Sequence, residues 1–397
     1  MPSALPAVLC AALLLMVTMG VRQSSGLFMS PINTSTGLGI VSLSLALAIG
    51  QFVWGAIQPI AGAVADRYGP GRVLATVLVV LALGSAVTPL MDSTTGMVIA
   101  FGLLSAAGSG AGSFSVLIGA VSRKLDSAKR GQAAGMINAG GSLGQFVFAP
   151  LAQKLITSVG WAGAMYAFAI AALAALPLAR ALRAREPVIS HAAPDGSGGL
   201  RHAVRDALRD RSYLLLHAGF FTCGFHIAFL VTHLPGEVGL CGLPAEVASG
   251  ALALIGLANI AGSLLAGWAV GRWRSKMILF WMYASRAGLV LIYLAAPRTE
   301  WTFYLFAIGL GLTWLATVPP TAGVVGKLFG TRYLATLFGL TLLSHQTGGF
   351  FGAWLGGLAL AHTGDYQWMW YADALLAAIA ALVNLPIRET PMRQAAA

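Results

Sequence analysis

Ionisable side chains inside long apolar segments are the first candidates for chemistry in this chain. Arg22 and Arg286 are the embedded cations, and Asp373 is an acid that lies away from the end of such a segment. A charge held in apolar surroundings is costly, so each is a functional candidate. Because a guanidinium can pair with a carboxylate through two parallel hydrogen bonds, Arg22 is a candidate for binding an anion. The equal alternative is that Arg22 reaches the edge of the apolar layer. For Arg286, hydrogen bonds to main-chain carbonyls of its own bundle are favoured over a role in substrate binding, but for both Arg286 and Asp373 the sequence leaves structure and function as alternatives.

The histidines form a second set. His226 and His233 are seven residues apart, so two helical turns place them on one face. His345 lies beside Gln346, and imidazole both titrates near neutral pH and donates hydrogen bonds. We predict two groups of site residues. The residues predicted to bind the solute are Arg22, His226, Asn259, His345 and Gln346. The residues predicted to couple a proton are His233 and His345.

Structural alternatives remain open for two of these histidines. His345 could form a hydrogen bond between helices, and His233 could lie at the end of its helix, at the membrane interface. The spacing of the histidines is not that of a metal site, and the three cysteines, Cys10, Cys223 and Cys241, have no paired spacing. We therefore expect no metal and no cofactor.

The composition indicates what kind of protein positions these residues. Of 397 residues, 57% are hydrophobic and only 9% are charged, whereas a soluble protein carries about 25% charged residues. The apolar segments are long enough to cross a bilayer as helices, which satisfy their own main-chain hydrogen bonds. The sequence therefore predicts an all-α membrane protein. It contains no ATP-binding loop, no H-E-x-x-H or G-x-S-x-G motif and no acid pair, so we expect no enzyme.

Hydropathy predicts twelve membrane spans, which we number in chain order. They cover 4–28, 40–65, 73–91, 96–121, 131–152, 161–180, 213–234, 246–268, 277–297, 302–326, 333–361 and 367–387. The first span lacks the basic start of a signal peptide, so we expect it to remain in the protein. The long polar stretch at 181–212 predicts three parts: an N-terminal six-helix bundle (1–180), a cytoplasmic linker (181–212) and a C-terminal six-helix bundle (213–397).

The basic residues predict the orientation. Twenty of the 24 lysines and arginines fall on the side of the linker and of both chain ends. By the positive-inside rule, both ends lie in the cytoplasm of a multi-pass inner or plasma membrane protein. The net charge of +11 thus orients the chain in the lipid bilayer, and we expect no nucleic-acid partner.

Two landmarks recur at a similar offset and indicate an internal duplication. The segment from Gly62 to Arg72 between spans 2 and 3 has a degenerate copy at Gly267–Lys276, 205 residues later. The glycines of span 5, at 140, 141 and 144, recur in span 11 at 348, 349 and 352, which is 208 residues later.

The first landmark, G-x-x-x-D-R-x-G-x-x-R, resembles the signature loop of the major facilitator superfamily. That resemblance implies two pseudo-symmetric six-helix bundles that alternate in exposing a central site, with spans 1, 4, 7 and 10 lining the cavity. The loop residues Gly62, Asp66, Arg67 and Arg72 would then control the conformational change. The second copy has Gly271 where an aspartate would complete it, so a weaker latch is expected in that half.

Within the superfamily the chain most resembles the branch of monocarboxylate transporters and oxalate/formate antiporters. The resemblance rests on the stretch from Arg22 to Phe28, on the arginine and glycine pattern of span 5, and on His345 in span 11. The branch places a carboxylate-binding arginine in span 8, where this chain has Ser263. Arg22 and His345 would then have to bind the negative charge of the substrate carboxylate in place of that arginine.

These observations predict a secondary transporter for a small organic solute, most simply an anion such as a monocarboxylate, with a possible coupled proton. The alternative is proton-linked efflux of neutral or amphipathic compounds, for which replacing Arg22 would have little effect. The superfamily default is a monomer.

Overall fold

The structure is a computed structural model that describes residues 5–122, 127–182, 200–330 and 333–389. All of its regular secondary structure in these ranges is helical. Within the described ranges, eight segments are long and apolar enough to cross a membrane. One of them, Gly135–Ala181, has 47 residues, about twice the length that one crossing requires.

The first six spans follow the predicted order. Span 1 consists of Leu5–Gln23, a 3-10 turn at Ser25–Phe28 and Met29–Thr36; span 2 is Ile40–Tyr68; and span 3 is Pro70–Val87 with a 3-10 turn at Thr88–Leu90. Span 4 consists of four pieces, Thr94–Met97, a π-helix at Val98–Ser105, Ala106–Ala111 and Phe114–Ser122. Spans 5 and 6 are Ser127–Ala174 followed by Leu176–Ala181. Gly160, with φ of 76° and ψ of 166°, separates spans 5 and 6. Glycine fits this turn because it tolerates a positive φ.

The second half begins after a short helix in the linker, Leu200–Ala207. Its spans are Arg211–Leu240 (7), Ala245–Val270 (8), Ser275–Ala295 (9), Glu300–Gly311 with Val318–Phe329 (10), Leu334–Thr363 (11) and Gln367–Asn384 (12). Two elements differ from the sequence prediction. Span 1 reaches Thr36 and not residue 28, and span 10 is interrupted at 312–317.

Close glycine contacts display the duplication in space. A Cβ atom placed on any of four glycines would lie 2.0–2.3 Å from a main-chain oxygen of the neighbouring span: Gly140 at Ala12, Gly144 at Met16, Gly348 at Phe221 and Gly352 at Phe225. Span 5 therefore packs on span 1 as span 11 packs on span 7. The shared geometry supports the duplication inferred from the sequence.

The two halves meet through spans 2 and 11, spans 5 and 8, and spans 1 and 7. We call the membrane side that holds the linker the linker side, and the opposite side the distal side. On the distal side the halves are in tight contact, because a Cβ atom on Gly26 would lie 1.9 Å from the main-chain oxygen of Val231. Likewise, a Cβ atom on Gly357 would lie 2.2 Å from Ser44 Oγ. The distal side is therefore closed.

Packing is looser towards the linker side. Four glycines on the spans that form the seam lie near this side: Gly62, Gly135, Gly267 and Gly339. No described atom lies within 4 Å of a Cβ atom placed on any of them. The contrast between the two sides suits a transporter that opens at one side at a time.

Candidate functional site

Arg22 lies near the middle of span 1, because that span continues for fourteen residues beyond it to Thr36. Its Nη2 atom donates a hydrogen bond to Oε1 of Gln51 on span 2. The guanidinium carbon lies 4.2 Å from the ring centre of Trp54, one turn further along the same span. Both contacts direct the guanidinium towards span 2 at mid-membrane, and they stabilise its charge through a hydrogen bond and a cation–π contact.

Gln346 of span 11 lies across the seam from Arg22 and its partners. A Cβ atom placed on Gly55 would lie 2.4 Å from Gln346 Cγ. A Cβ atom placed on Gly349 would lie 3.4 Å from Gln51 Cβ and 3.5 Å from Gln346 Oε1. Arg22, Gln51 and Gln346 therefore surround the same part of the seam, and small residues allow spans 2 and 11 to approach.

His345, the neighbour of Gln346, is 6% exposed. Neither of its ring nitrogens has a hydrogen-bond partner among the described residues, and neither does Gln346 Oε1. The imidazole packs against Phe220 with 4.8 Å between ring centres, and the charges of Arg22 and Arg286 act on it. Buried polar groups normally have partners, so this pair of residues offers hydrogen-bonding capacity next to Arg22.

Asn259 of span 8 forms a hydrogen bond between the two halves. Its Nδ2 donates to Ser142 Oγ of span 5 at 3.0 Å, and its Oδ1 accepts from the main-chain N–H of Leu315 at 3.0 Å. The hydroxyl of Ser263 donates to the same Oδ1 at 3.3 Å. Ser263, where the related branch has an arginine, thus supports a neutral network at the seam.

The interruption of span 10 is held by side chains from neighbouring helices. Arg286 Nη2 donates to the main-chain oxygens of Thr313 at 2.7 Å and Trp314 at 3.3 Å. Its Nη1 lies 3.5 Å from Cys223 Sγ. The carbonyls freed by the broken helix therefore find donors inside the protein, as a membrane interior requires. Arg286 thus makes the hydrogen bonds to main-chain carbonyls that a structural role predicts.

His226 and Asp373 form a buried pair between spans 7 and 12. His226 Nδ1 and Asp373 Oδ2 are 2.5 Å apart, and both side chains are 0% exposed. The outer atoms of the pair, His226 Nε2 and Asp373 Oδ1, have no hydrogen-bond partner among the described residues. His226, predicted to bind solute, thus contacts Asp373 and not the surroundings of Arg22.

His233 binds the neighbouring helix. Its Nε2 donates to the main-chain oxygen of Ala353 in span 11 at 2.7 Å, and a Cβ atom on Gly356 would lie 2.2 Å from its ring. This tight contact fits a hydrogen bond that holds spans 7 and 11 together. A proton-coupling role for His233 stays a prediction.

The predicted gating residues lie at the linker end of spans 2 and 3. Arg72 is exposed, and Gly62 lies at one of the loosely packed positions of the seam. The side chains of Asp66 and Arg67 lie outside the described part of the structure. In the described ranges, no group of three or more His, Cys, Asp or Glu side chains could hold a metal ion.

Three features of this region were missed by the sequence analysis. The contact of Ser142 with Asn259 joins residues 117 positions apart, and nothing in either local sequence indicates it. The interruption of span 10 did have a signal, the prolines at 319 and 320, which disfavour helix at the residues just before them. The pair of His226 and Asp373, 147 positions apart, had no such signal.

Comparison with known proteins identifies relatives over most of the chain. The family profile described as Major Facilitator Superfamily matches residues 11–353. Monocarboxylate transporter 13 of Rattus norvegicus is 28% identical over 355 residues, covering 86% of this chain and 78% of that protein. The oxalate:formate antiporter of Oxalobacter formigenes is 24% identical over 371 residues, covering 90% of this chain and 84% of that protein.

A solved structure of low sequence identity has the same fold. The crystal structure of a D-xylose–proton symporter superimposes with a TM-score of 0.74, covering 97% of this chain and 98% of that chain. Only 14% of the aligned residues are identical. The likeness therefore describes the fold alone.

Proposed function

Because the chain belongs to the Major Facilitator Superfamily, we propose that it carries a small organic anion, most simply a monocarboxylate, together with a proton. The chain is a membrane transporter and not an enzyme, and the proposal concerns its substrate and its coupling ion. The two names among its relatives that contain monocarboxylate or oxalate and formate support the anionic substrate class.

The observation that carries the proposal is the position of Arg22. A guanidinium has five N–H donors, and among described side chains only Gln51 accepts a hydrogen bond from this one. A permanent cation at mid-membrane is costly, and no carboxylate contacts it within the described residues. A substrate carboxylate would supply the missing anion and bind through two parallel hydrogen bonds.

His345 and Gln346 provide the second side of the proposed site. Both lie across the seam from Arg22, and both have unpartnered polar atoms among the described residues. A substrate held by Arg22 from one half and by these residues from the other would bridge the two halves. The predicted roles of Asn259 and His226 in substrate binding are weaker, because Asn259 binds Ser142 and Leu315, and His226 is paired with Asp373.

The transport cycle follows from the two halves. We take residues 1–180 and 213–397 as the moving units, joined by the linker at 181–212, with the chain acting as a monomer. The distribution of basic residues favours a cytoplasmic linker and both chain ends in the cytoplasm of an inner or plasma membrane. The closed distal side then corresponds to an inward-facing state. Gly62, Asp66, Arg67 and Arg72 lie where they would control closure on the linker side.

The test uses purified protein in liposomes that contain a pH-sensitive dye. A panel of monocarboxylates, dicarboxylates, neutral solutes and lipophilic cations is added to wild type, Arg22→Gln and Arg298→Gln. Arg298 is a matched control, because it is a half-buried arginine that contacts Tyr293 and Glu237 far from the seam. We expect monocarboxylates to acidify the lumen with wild type and Arg298→Gln but not with Arg22→Gln.

Two results would contradict the proposal. Wild-type protein that moves no carboxylate would remove the anionic substrate. Transport of neutral or amphipathic compounds that is indifferent to Arg22→Gln would favour the efflux alternative.

A further inference from the structure

The interior of the C-terminal half holds a cluster of His226, Arg286 and Asp373, which substrate binding at Arg22 does not use. His226, Arg286 and Asp373 are each 0% exposed. Ionisable groups are expensive inside a membrane protein and are usually retained for function. Their presence therefore needs an explanation other than contact with the substrate.

The N-terminal half indicates that folding does not require them. The contacts of Gly144 with Met16 and of Gly352 with Phe225 relate spans 1 and 7 by 209 residues. This relation places Val17 at the position of His226. Spans 3 and 6, the counterparts of spans 9 and 12, have no Asp, Glu, His, Lys or Arg in their interiors. The same packing is thus achieved with apolar side chains.

The geometry of the pair suits reversible binding of one proton. A neutral His226 donates from Nδ1 to the ionised carboxylate of Asp373 across 2.5 Å. An added proton is accommodated as an imidazolium beside the carboxylate, or as a neutral imidazole beside a carboxylic acid. Either form adds one positive charge to the pair. The unpartnered Nε2 and Oδ1 atoms are the positions where that proton can arrive.

Arg286 lies near the pair but does not bind its carboxylate. Its described hydrogen bonds go to Thr313, Trp314 and Cys223 and not to Asp373, although its charge acts on His226. Other titratable groups on the packed helices include Tyr283, Cys223 and His345 near Arg286, and His233, Glu237, Tyr293 and Tyr366 towards the distal side. The described partner of Asp373 is thus an imidazole, which can take up a proton, and not a guanidinium, which cannot.

We propose that His226 and Asp373 form the binding site of the coupled proton, behind the substrate site and separate from it. The inference rests on the proposed proton-coupled transport and assigns its proton to residues that the sequence analysis placed elsewhere or left undecided. His345 is the poorer candidate, because it has no carboxylate partner among the described residues, whereas His226 is paired with Asp373.

The interruption of span 10 connects this site with the seam. Trp314 packs against His226 with 5.9 Å between ring centres, and its main-chain oxygen accepts from Arg286. The next residue, Leu315, donates to Asn259, which binds Ser142 of the other half. A change of charge at the pair therefore acts on a segment that is hydrogen-bonded, through one side chain, to the opposite half.

Infrared difference spectroscopy tests proton binding without requiring transport. Purified wild type, Asp373→Asn, His226→Gln and Glu237→Gln are titrated in lipid, and the carbonyl and imidazole bands of protonated side chains are followed. Glu237 is a matched control, a buried acid of span 7 that binds Tyr293 at the distal end. We expect a titrating band in wild type and Glu237→Gln that is absent in Asp373→Asn and altered in His226→Gln. An unchanged spectrum in Asp373→Asn would overturn the assignment.

Flux measurements then separate this inference from the proposed function. The readout is the ratio of proton-driven net uptake to exchange of labelled for unlabelled carboxylate. We expect Asp373→Asn to lower this ratio by about tenfold, within the usual range of coupling between two sites, and Glu237→Gln to preserve it. Wild type that moves no carboxylate contradicts the proposed function. Wild-type coupling that persists in Asp373→Asn contradicts only the proton site.

Discussion

Removing one hydroxyl at the seam should shift the balance between the two conformations of the transporter. Ser142 is 6% exposed and accepts the 3.0 Å hydrogen bond from Asn259 in the distal-closed state. Ser142→Ala deletes that bond and leaves an Asn259 N–H unpaired, while water can reach the amide when the distal side opens. The loss of one such bond costs about 1 kcal/mol, or about a fivefold change in an equilibrium constant. Ser142→Ala should therefore raise the distal-open population about fivefold.

Thiol labelling from the distal side measures this population. Ser44 is 0% exposed and lies against Gly357 at the distal closure, so a cysteine there reacts only when the closure opens. The reporter Ser44→Cys is placed in a Cys241→Ala background, because Cys241 lies at the distal end of span 7. A membrane-impermeant maleimide is then applied to the reporter protein with and without Ser142→Ala.

Ser109→Ala serves as the matched control. Ser109 is 2% exposed and donates to the main-chain oxygen of Ala106 in its own half, so its loss should leave the labelling rate unchanged. Equal labelling rates with and without Ser142→Ala would refute the reasoning. A similar rise in Ser109→Ala would also do so, because it would attribute the effect to general loosening and not to the seam.

Three further predictions follow from single side chains. Gly224→Ala would place a Cβ atom 1.6 Å from the main-chain oxygen of His345, so the melting temperature of this variant in detergent should fall by several degrees or more. Gly288→Ala is the control: no described atom lies within 4 Å of its Cβ position, and this variant should melt at the same temperature as wild type. Arg286→Gln leaves at least one of the freed carbonyls of span 10 without a donor, which should lower the free energy of unfolding by about 1–3 kcal/mol. Thermal unfolding measures this loss, and we expect a smaller decrease in the melting temperature for Arg298→Gln. His345→Ala should weaken substrate binding but keep the stimulation of uptake by external acid; a lost pH response would return the proton to His345.

The fold was largely predictable because its signals are local and repeated. Apolar segments of membrane-spanning length, a basic bias on one side and glycines recurring 208 residues apart all describe features that act within one helix or between adjacent ones. The end of span 1 was placed too early, since Asn33, Thr34 and Ser35 lower the hydropathy although the helix continues to Thr36. Hydropathy measures apolarity and not helix continuity, and so it misplaces a polar helix end.

The site was only partly predictable. Arg22 stands out in the sequence because a cation in an apolar segment is rare, and its position near the seam follows from the superfamily architecture. Which polar side chain meets which depends on the rotation of each helix about its axis. The spacing of His226 and His233 indicates a shared face, but not that one binds Asp373 and the other binds Ala353.

The distribution of charge argues for a substrate with a single negative charge. Among the described residues, Arg22 is the one cation at the meeting of spans 1, 2 and 11, because Arg286 is committed to carbonyls inside its own half. One guanidinium neutralises one carboxylate, and a second carboxylate would enter an apolar site without a partner. Ser263 stands where the related branch has an arginine, so this position offers no second cation to bind a second carboxylate. In the proposed mechanism, a proton bound at His226 and Asp373 would add one positive charge, so that anion and proton together would cross the membrane without net charge.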